Sequence, residues 1–132
     1  PTTSSAGQGQ RVLYVDDEAA LVRFATRVLD RLGYVVTGQT DPEEALRALE
    51  GDPARFDLII TDLNMPLCSG LQLAERVRAL PSKVPIVLIS GYLTDEAERE
   101  IARLGIRQVL QKPVTSQALG ECVRDLLAEA AK

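Results

Sequence analysis

The sequence contains no histidine and no tryptophan, and only two cysteines and one methionine in 132 residues. Without histidine, Ser-His-Asp and Cys-His nucleophile schemes, His-based zinc sites and a role as a phosphohistidine carrier are excluded. Cys68 and Cys122 do not make a disulfide framework, and their spacing fits no metal motif, so both are expected as reduced thiols of a cytosolic protein. The longest apolar stretch, Val84–Ile89, contains a proline and falls far short of a bilayer. A basic excess is missing too: 15 Lys and Arg stand against 19 Asp and Glu, so direct nucleic-acid binding is not expected. No signal-peptide pattern is visible, since the Ser/Thr/Gly/Gln-rich start has its first basic residue at Arg11. The expected setting is cytoplasmic, with no membrane insertion by this domain, although a longer parent chain could be tethered to the inner face of the membrane.

Residues 1–10, PTTSSAGQGQ, are low in hydrophobicity and are expected to be a flexible linker or an added tail, leaving 11–132 as one domain. From Arg11 onward, apolar runs alternate with helical patterns. Arg11–Val15, Leu58–Thr61 and Ile86–Ser90 are continuous β-branched and apolar runs, suited to strands buried on both faces. Tyr34–Gln39 alternates more and contains Gly38, as an edge strand would, and Gln108–Gln111 is a short fifth candidate. Ala19–Leu32 carries apolar residues at 21, 25, 28 and 32 and stops at Gly33-Tyr34, a glycine followed by an apolar residue. Leu104-Gly105-Ile106 repeats that device. Asp41-Pro42-Glu43-Glu44 predicts a capping box with proline at the first helical position, opening Glu43–Leu49. Further helices are predicted at about Leu71–Leu80, Asp95–Leu104 and Gln117–Ala131. Five strands alternating with five helices predict an α/β, three-layer, doubly wound (βα)5 fold of the flavodoxin-like kind, with parallel strand order 2-1-3-4-5. Ligands of such folds bind at the carboxyl ends of the strands, near the switch between strands 1 and 3.

At those ends stand Asp16-Asp17, Asp62, Ser90 and Lys112. Each has an ordinary reading: an aspartate pair caps a helix, an aspartate before Asn64-Met65-Pro66 makes a turn, Ser-Gly is a turn dipeptide, and a strand-end lysine is solvated. Together they make a poor arrangement for stability. Two like charges about 4 Å apart repel by ~1 kcal/mol in water and ~4 kcal/mol at a protein-like dielectric. Converging carboxylates therefore call for a cation or for raised pKa values.

The segments VLYVDDE, LIITDLNMP, LCSG, VLIS and QKPV, in this order and spacing, resemble the CheY-like response-regulator receiver family over about residues 11–130. The resemblance implies a domain that takes a phosphoryl group from a phosphohistidine onto Asp62. It implies that Asp17, Asp62 and the backbone carbonyl of Asn64 bind Mg²⁺ (or Mn²⁺) directly, with Asp16 acting through water. Lys112 would meet the phosphoryl oxygens, Ser90 would donate its hydroxyl to the attached group, and a cis peptide before Pro113 would aim the lysine. The donor would be the dimerisation helices of a histidine kinase or a histidine phosphotransfer protein. A monomer or weak dimer is expected.

Two positions depart from the family pattern. Val109 stands where relatives usually carry Tyr or Phe, so the aromatic relay cannot run in its usual form. Tyr92 lies two residues after Ser90, where a bulky ring could shield the phosphoryl group from water. The first helix offers a docking surface: at about 100° per residue its apolar residues span roughly 140°, with Phe24 at one edge. By resemblance, Leu21 and Phe24 are the expected partner contacts. The chain stops after its fifth helix, which leaves two readings: the receiver of a hybrid sensor histidine kinase, favoured by the polar leader and Val109, or a stand-alone regulator. In either, the domain itself is not expected to be an enzyme. Three other classes fit less well. An aspartyl-phosphate phosphohydrolase of the haloacid-dehalogenase type wants a second aspartate two residues after the nucleophile, where Asp62 is followed by Asn64 and Asp16 by Glu18. A non-phosphorylated docking module has no need of the full acidic set. Flavodoxin-like cofactor binding lacks a glycine-rich phosphate loop after the first strand.

Overall fold

Five apolar runs form one parallel sheet, and each strand is followed by a helix. In the computed structural model, which describes residues 8–66 and 68–130, the order is β1 (Arg11–Val15), α1 (Ala19–Arg31), β2 (Val35–Gln39), α2 (Pro42–Gly51), β3 (Leu58–Asp62), α3 (Gly70–Arg78), β4 (Ile86–Ser90), α4 (Asp95–Arg103), β5 (Gln108–Gln111) and α5 (Ser116–Ala130). The strands lie in the order β2-β1-β3-β4-β5, all parallel, as the alternation predicts.

The period-two alternation of a strand divides the core. Val12, Tyr14, Leu58, Ile60, Val87 and Ile89 face Ala25 and Leu29 of α1 and Leu119, Val123 and Leu126 of α5. Leu13, Val15, Ile59 and Ile86 face Ala45, Leu46 and Leu49 of α2 and Leu73, Ala74 and Val77 of α3. Cys68 and Cys122 are free and buried in these two separate layers, on opposite faces of the sheet, so they cannot bridge. Among the described residues no helix is long and apolar enough to cross a membrane.

Several element ends differ from the expected ones for local reasons. Tyr34 falls outside β2 because its N–H closes α1: Gly33, at φ +96°, donates to the Asp30 carbonyl and Tyr34 donates to that of Leu29. Gly105 and Ile106 close α4 in the same way, on the carbonyls of Ala102 and Ile101. The capping box expected at Asp41-Glu44 does not form. Asp41 accepts from the Glu43 amide, but Glu44 turns outward to Arg47 instead of reaching back. The reciprocal box sits at α3, where Ser69 accepts from the Gln72 amide and the Gln72 side chain accepts from the Ser69 amide. Of the predicted linker, residues 1–7, and of the last predicted helix Ala131, lie outside the described residues. Gly9 and Gln10 are tied to the domain, Gly9 donating to the Gly33 carbonyl and Gln10 accepting from Val35.

Candidate functional site

The carboxyl ends of β1 and β3 lie side by side, so their terminal side chains converge. Asp16, Asp17 and Asp62 each place a carboxylate oxygen within 4.8 Å of the others. Asp16 is fully buried and Asp62 is 2% exposed, whereas Asp17 faces solvent. Asp16 spends one oxygen on the α1 entry, Oδ1 accepting from the Glu18 amide at 2.9 Å. Its Oδ2 is buried without a hydrogen-bond partner. Lys112 Nζ approaches from the end of β5 to 2.9 Å from Asp62 Oδ1. That separation suits a charge-assisted hydrogen bond, but Oδ1 receives none with acceptable angles, so the contact is an ion pair.

The electrostatics follow from this crowding. Burial pushes the Asp16 carboxyl up to about 6; the Glu18 amide opposes the rise, the Asp62 charge adds to it, Lys112 opposes and Asp17 adds. The contact with Asp62 holds the Lys112 ammonium above its ordinary value, against the effect of burial. Three carboxylates face one ammonium, so the cluster is short of positive charge. A hard, all-oxygen donor set with a buried, partnerless Asp16 Oδ2 fits Mg²⁺ or Mn²⁺. The Asn64 carbonyl stands two residues past β3.

The other sequence-predicted residues surround the cluster. Ser90, the last residue of β4, is buried, and its hydroxyl donates to the Tyr92 carbonyl at 2.6 Å while accepting from the Tyr92 amide at 3.1 Å. The Tyr92 ring is 75% exposed. The Lys112–Pro113 peptide is cis. Leu21, Phe24 and Pro113 line a hollow of about 430 Å³ that also opens on Asp16 and Lys112. Phe24 is 38% exposed. Val109 lies opposite Leu88 in the β4–β5 pairing and is half-buried.

The sequence matches the family described as the response regulator receiver domain over residues 12–124. The chain belongs to that family. It is 32% identical over 111 residues to the two-component response regulator ARR10 of Arabidopsis thaliana, covering 84% of this chain and 20% of that protein. Among solved structures, a receiver domain protein from Methanospirillum hungatei superposes with a TM-score of 0.87 at 26% identity, covering 93% of this chain and 97% of that one. The receiver domain of the hybrid histidine kinase CckA gives 0.75 at 35% identity, covering 89% and 98%. The chain spans between 16% and 20% of the length of the first curated relatives it matches.

One residue of this receiver site went unrecognised in the sequence. Gly70, the first residue of α3, donates to the Leu63 carbonyl at 2.9 Å, and a Cβ there would stand 2.5 Å from the Asp62 carbonyl oxygen. The helix therefore starts against the backbone that carries Asp62. The LCSG segment was the available signal, but its glycine reads as an ordinary turn until the approach is seen. Gly70→Ala is expected to destabilise the domain by about 1–3 kcal/mol, because the nearest crowded atom is main chain and cannot rotate away. Urea unfolding of the variant measures this, and an unchanged midpoint would show that the approach tolerates a methyl group.

Proposed function

We propose that this receiver domain is a phosphoacceptor that takes a phosphoryl group from a phosphohistidine of a partner onto Asp62, in a reaction that needs Mg²⁺ or Mn²⁺. The observation that carries the reading is the buried Asp62 carboxylate, ion-paired to Lys112 inside a carboxylate cluster with a partnerless oxygen. A purely structural network would satisfy its buried groups. In transfer, an Asp62 oxygen attacks phosphorus, the phosphorus–nitrogen bond breaks, and the imidazole keeps the electron pair and takes a proton from solvent. Lys112, already at the Asp62 oxygen, supplies fixed positive charge to the phosphoryl oxygens. A bound divalent cation would add positive charge at the same oxygens and neutralise the carboxylates. Ser90 must exchange its bond to the Tyr92 carbonyl for one to the phosphoryl group, which couples phosphorylation to the β4–α4 loop. Val109 leaves no ring to follow that change.

The domain thus promotes its own phosphorylation and is not a turnover enzyme. Asn64 and Glu18, standing where a phosphohydrolase needs its general acid, support that view. Within the receiver reading, the receiver of a hybrid histidine kinase is favoured over a stand-alone regulator by the 35% identity to the CckA receiver. Leu21 and Phe24, beside the Lys112 end of the site, are proposed as contacts for the histidine-bearing helices. Incubation with acetyl phosphate and Mg²⁺ tests the function. One phosphoryl group should appear in the intact mass and vanish when the metal is chelated; no gain in mass under these conditions would overturn the proposal.

The metal roles divide among the carboxylates. Asp17→Asn is expected to weaken Mg²⁺ binding roughly tenfold or more, and Asp16→Asn only several-fold, because a charge acting through water interacts at longer range. Lys112→Ala should leave metal binding intact or improved, since it removes a competing positive charge. Titration of the three variants checks this, and equal affinity of wild type and Asp17→Asn would reject the division.

A further inference from the structure

Along α1, Arg23, Arg27 and Arg31 follow one another at four-residue steps, so three exposed guanidinium groups stand on one side of the helix over about 12 Å of its length. None of the three is ion-paired among the described residues, whereas Arg47, Arg76, Arg103, Arg107 and Arg124 each meet a carboxylate. A stripe of unspent positive charge is unexpected on a chain of net charge −4. It borders a continuous groove. The three arginines, Phe24 and Val28 surround a hollow of about 510 Å³. Away from the site it runs into a second, of about 420 Å³, where Val28 and Leu32 meet Gly120 of α5. Towards the site Phe24 is shared with the hollow beside Asp16 and Lys112. Gly120 keeps the floor low: a Cβ there would stand 3.0 Å from Leu32 Cδ1. The one carboxylate on the opposite wall, Glu121, accepts from the Gln117 side chain.

We infer that the α1–α5 groove takes an acidic, amphipathic helix of a partner protein. This rests on the proposed docking through α1 and goes beyond it by fixing the partner's chemistry. A helix laid along α1 presents one side chain per turn at the spacing of the arginines, so glutamates or aspartates at four-residue steps would meet all three. Its adjacent apolar stripe would cover Phe24, Val28 and Leu32. The hollows follow one another along α1, as the arginines do, which matches the axis of a helix. A second copy of this chain could offer α4, where Asp95, Glu96, Glu98 and Glu100 are interrupted by Arg99 and Arg103, or α5, where Glu121, Asp125 and Glu129 stand at four-residue steps but already meet Gln117, Arg124 and Arg107.

The test titrates isotope-labelled protein with two stapled helical peptides that share an apolar stripe and differ only in three residues at four-residue steps, glutamate in one and glutamine in the other. The glutamate peptide should bind roughly tenfold more tightly, lose that advantage as salt rises, and shift the amide signals of Arg23–Leu32 and Gly120. The combined R23E/R27E/R31E variant should abolish the difference while still accepting a phosphoryl group from acetyl phosphate. Equal affinity of the two peptides for wild type would overturn the inference without reference to any variant. So would shifts centred on another face, stronger binding to equimolar phosphatidylserine–phosphatidylcholine vesicles than to the peptide, or concentration-dependent self-association of α1 with α4 or α5 of a second copy. Failure of acetyl phosphate labelling in wild type would instead remove the phosphoacceptor reading and leave the peptide result standing.

Discussion

Asp62→Asn is expected to eliminate labelling by acetyl phosphate, not to reduce it. The substitution keeps the side chain's shape at the end of β3 but replaces the attacking carboxylate oxygen by an amide, and neither Asp16 nor Asp17 can substitute. Asp16 is buried with one oxygen committed to the Glu18 amide, and its carboxyl is held up to about 6 by burial. Asp17 faces solvent. Only Asp62 has a cation at 2.9 Å to receive phosphoryl charge. The variant should remain folded, because removing one of three crowded carboxylates relieves repulsion worth about 1–4 kcal/mol between neighbouring charges. Unfolding in the presence of chelator should therefore show Asp62→Asn or Asp16→Asn to be as stable as wild type or more so. A folded Asp62→Asn protein that labels normally would refute the assignment.

Phe24→Ala is expected to cost roughly 1–3 kcal/mol of affinity for the histidine-bearing partner, or about 5- to 150-fold. The ring is large, more than a third exposed, and shared by the hollow beside Lys112 and the arginine-lined groove, so a helix crossing from one to the other must cover it. Labelling by acetyl phosphate should barely change, since a small donor needs only the Asp62 site. Val109→Tyr should likewise have little effect on transfer from the partner, because the position is on β5, away from α1. Phosphotransfer measured for both variants separates the surfaces. If Phe24→Ala transfers like wild type while changes at Val109 alter it strongly, docking lies elsewhere.

The fold was legible in the sequence because its signals are local. Buried parallel strands show as the unbroken apolar runs of β1, β3 and β4, and the glycines that end α1 and α4 stand one residue past the C-cap leucines. The acidic residues, Ser90 and Lys112 were legible because a doubly wound sheet sends every strand end to one rim. What escaped depends on atoms far apart in the chain. The Asp41 box failed because Glu44 found Arg47 on its own helix, while Ser69 and Gln72 formed the box instead. Gly70 acquires its meaning only where α3 meets the Asp62 carbonyl. That Ser90 is held by the Tyr92 backbone also depends on loop geometry that residue type does not specify.

The most direct test of the account is to locate the phosphoryl group. The protein is labelled with acetyl phosphate and Mg²⁺, the acyl phosphate is reduced with borohydride, and the digested peptides are sequenced by mass spectrometry. The account predicts that the only residue converted to the reduced product is Asp62, with none in the Asp62→Asn protein or in the presence of chelator. Conversion at Asp16 or Asp17, a stable phosphate ester on Ser90, or labelling that persists without Asp62 would contradict it.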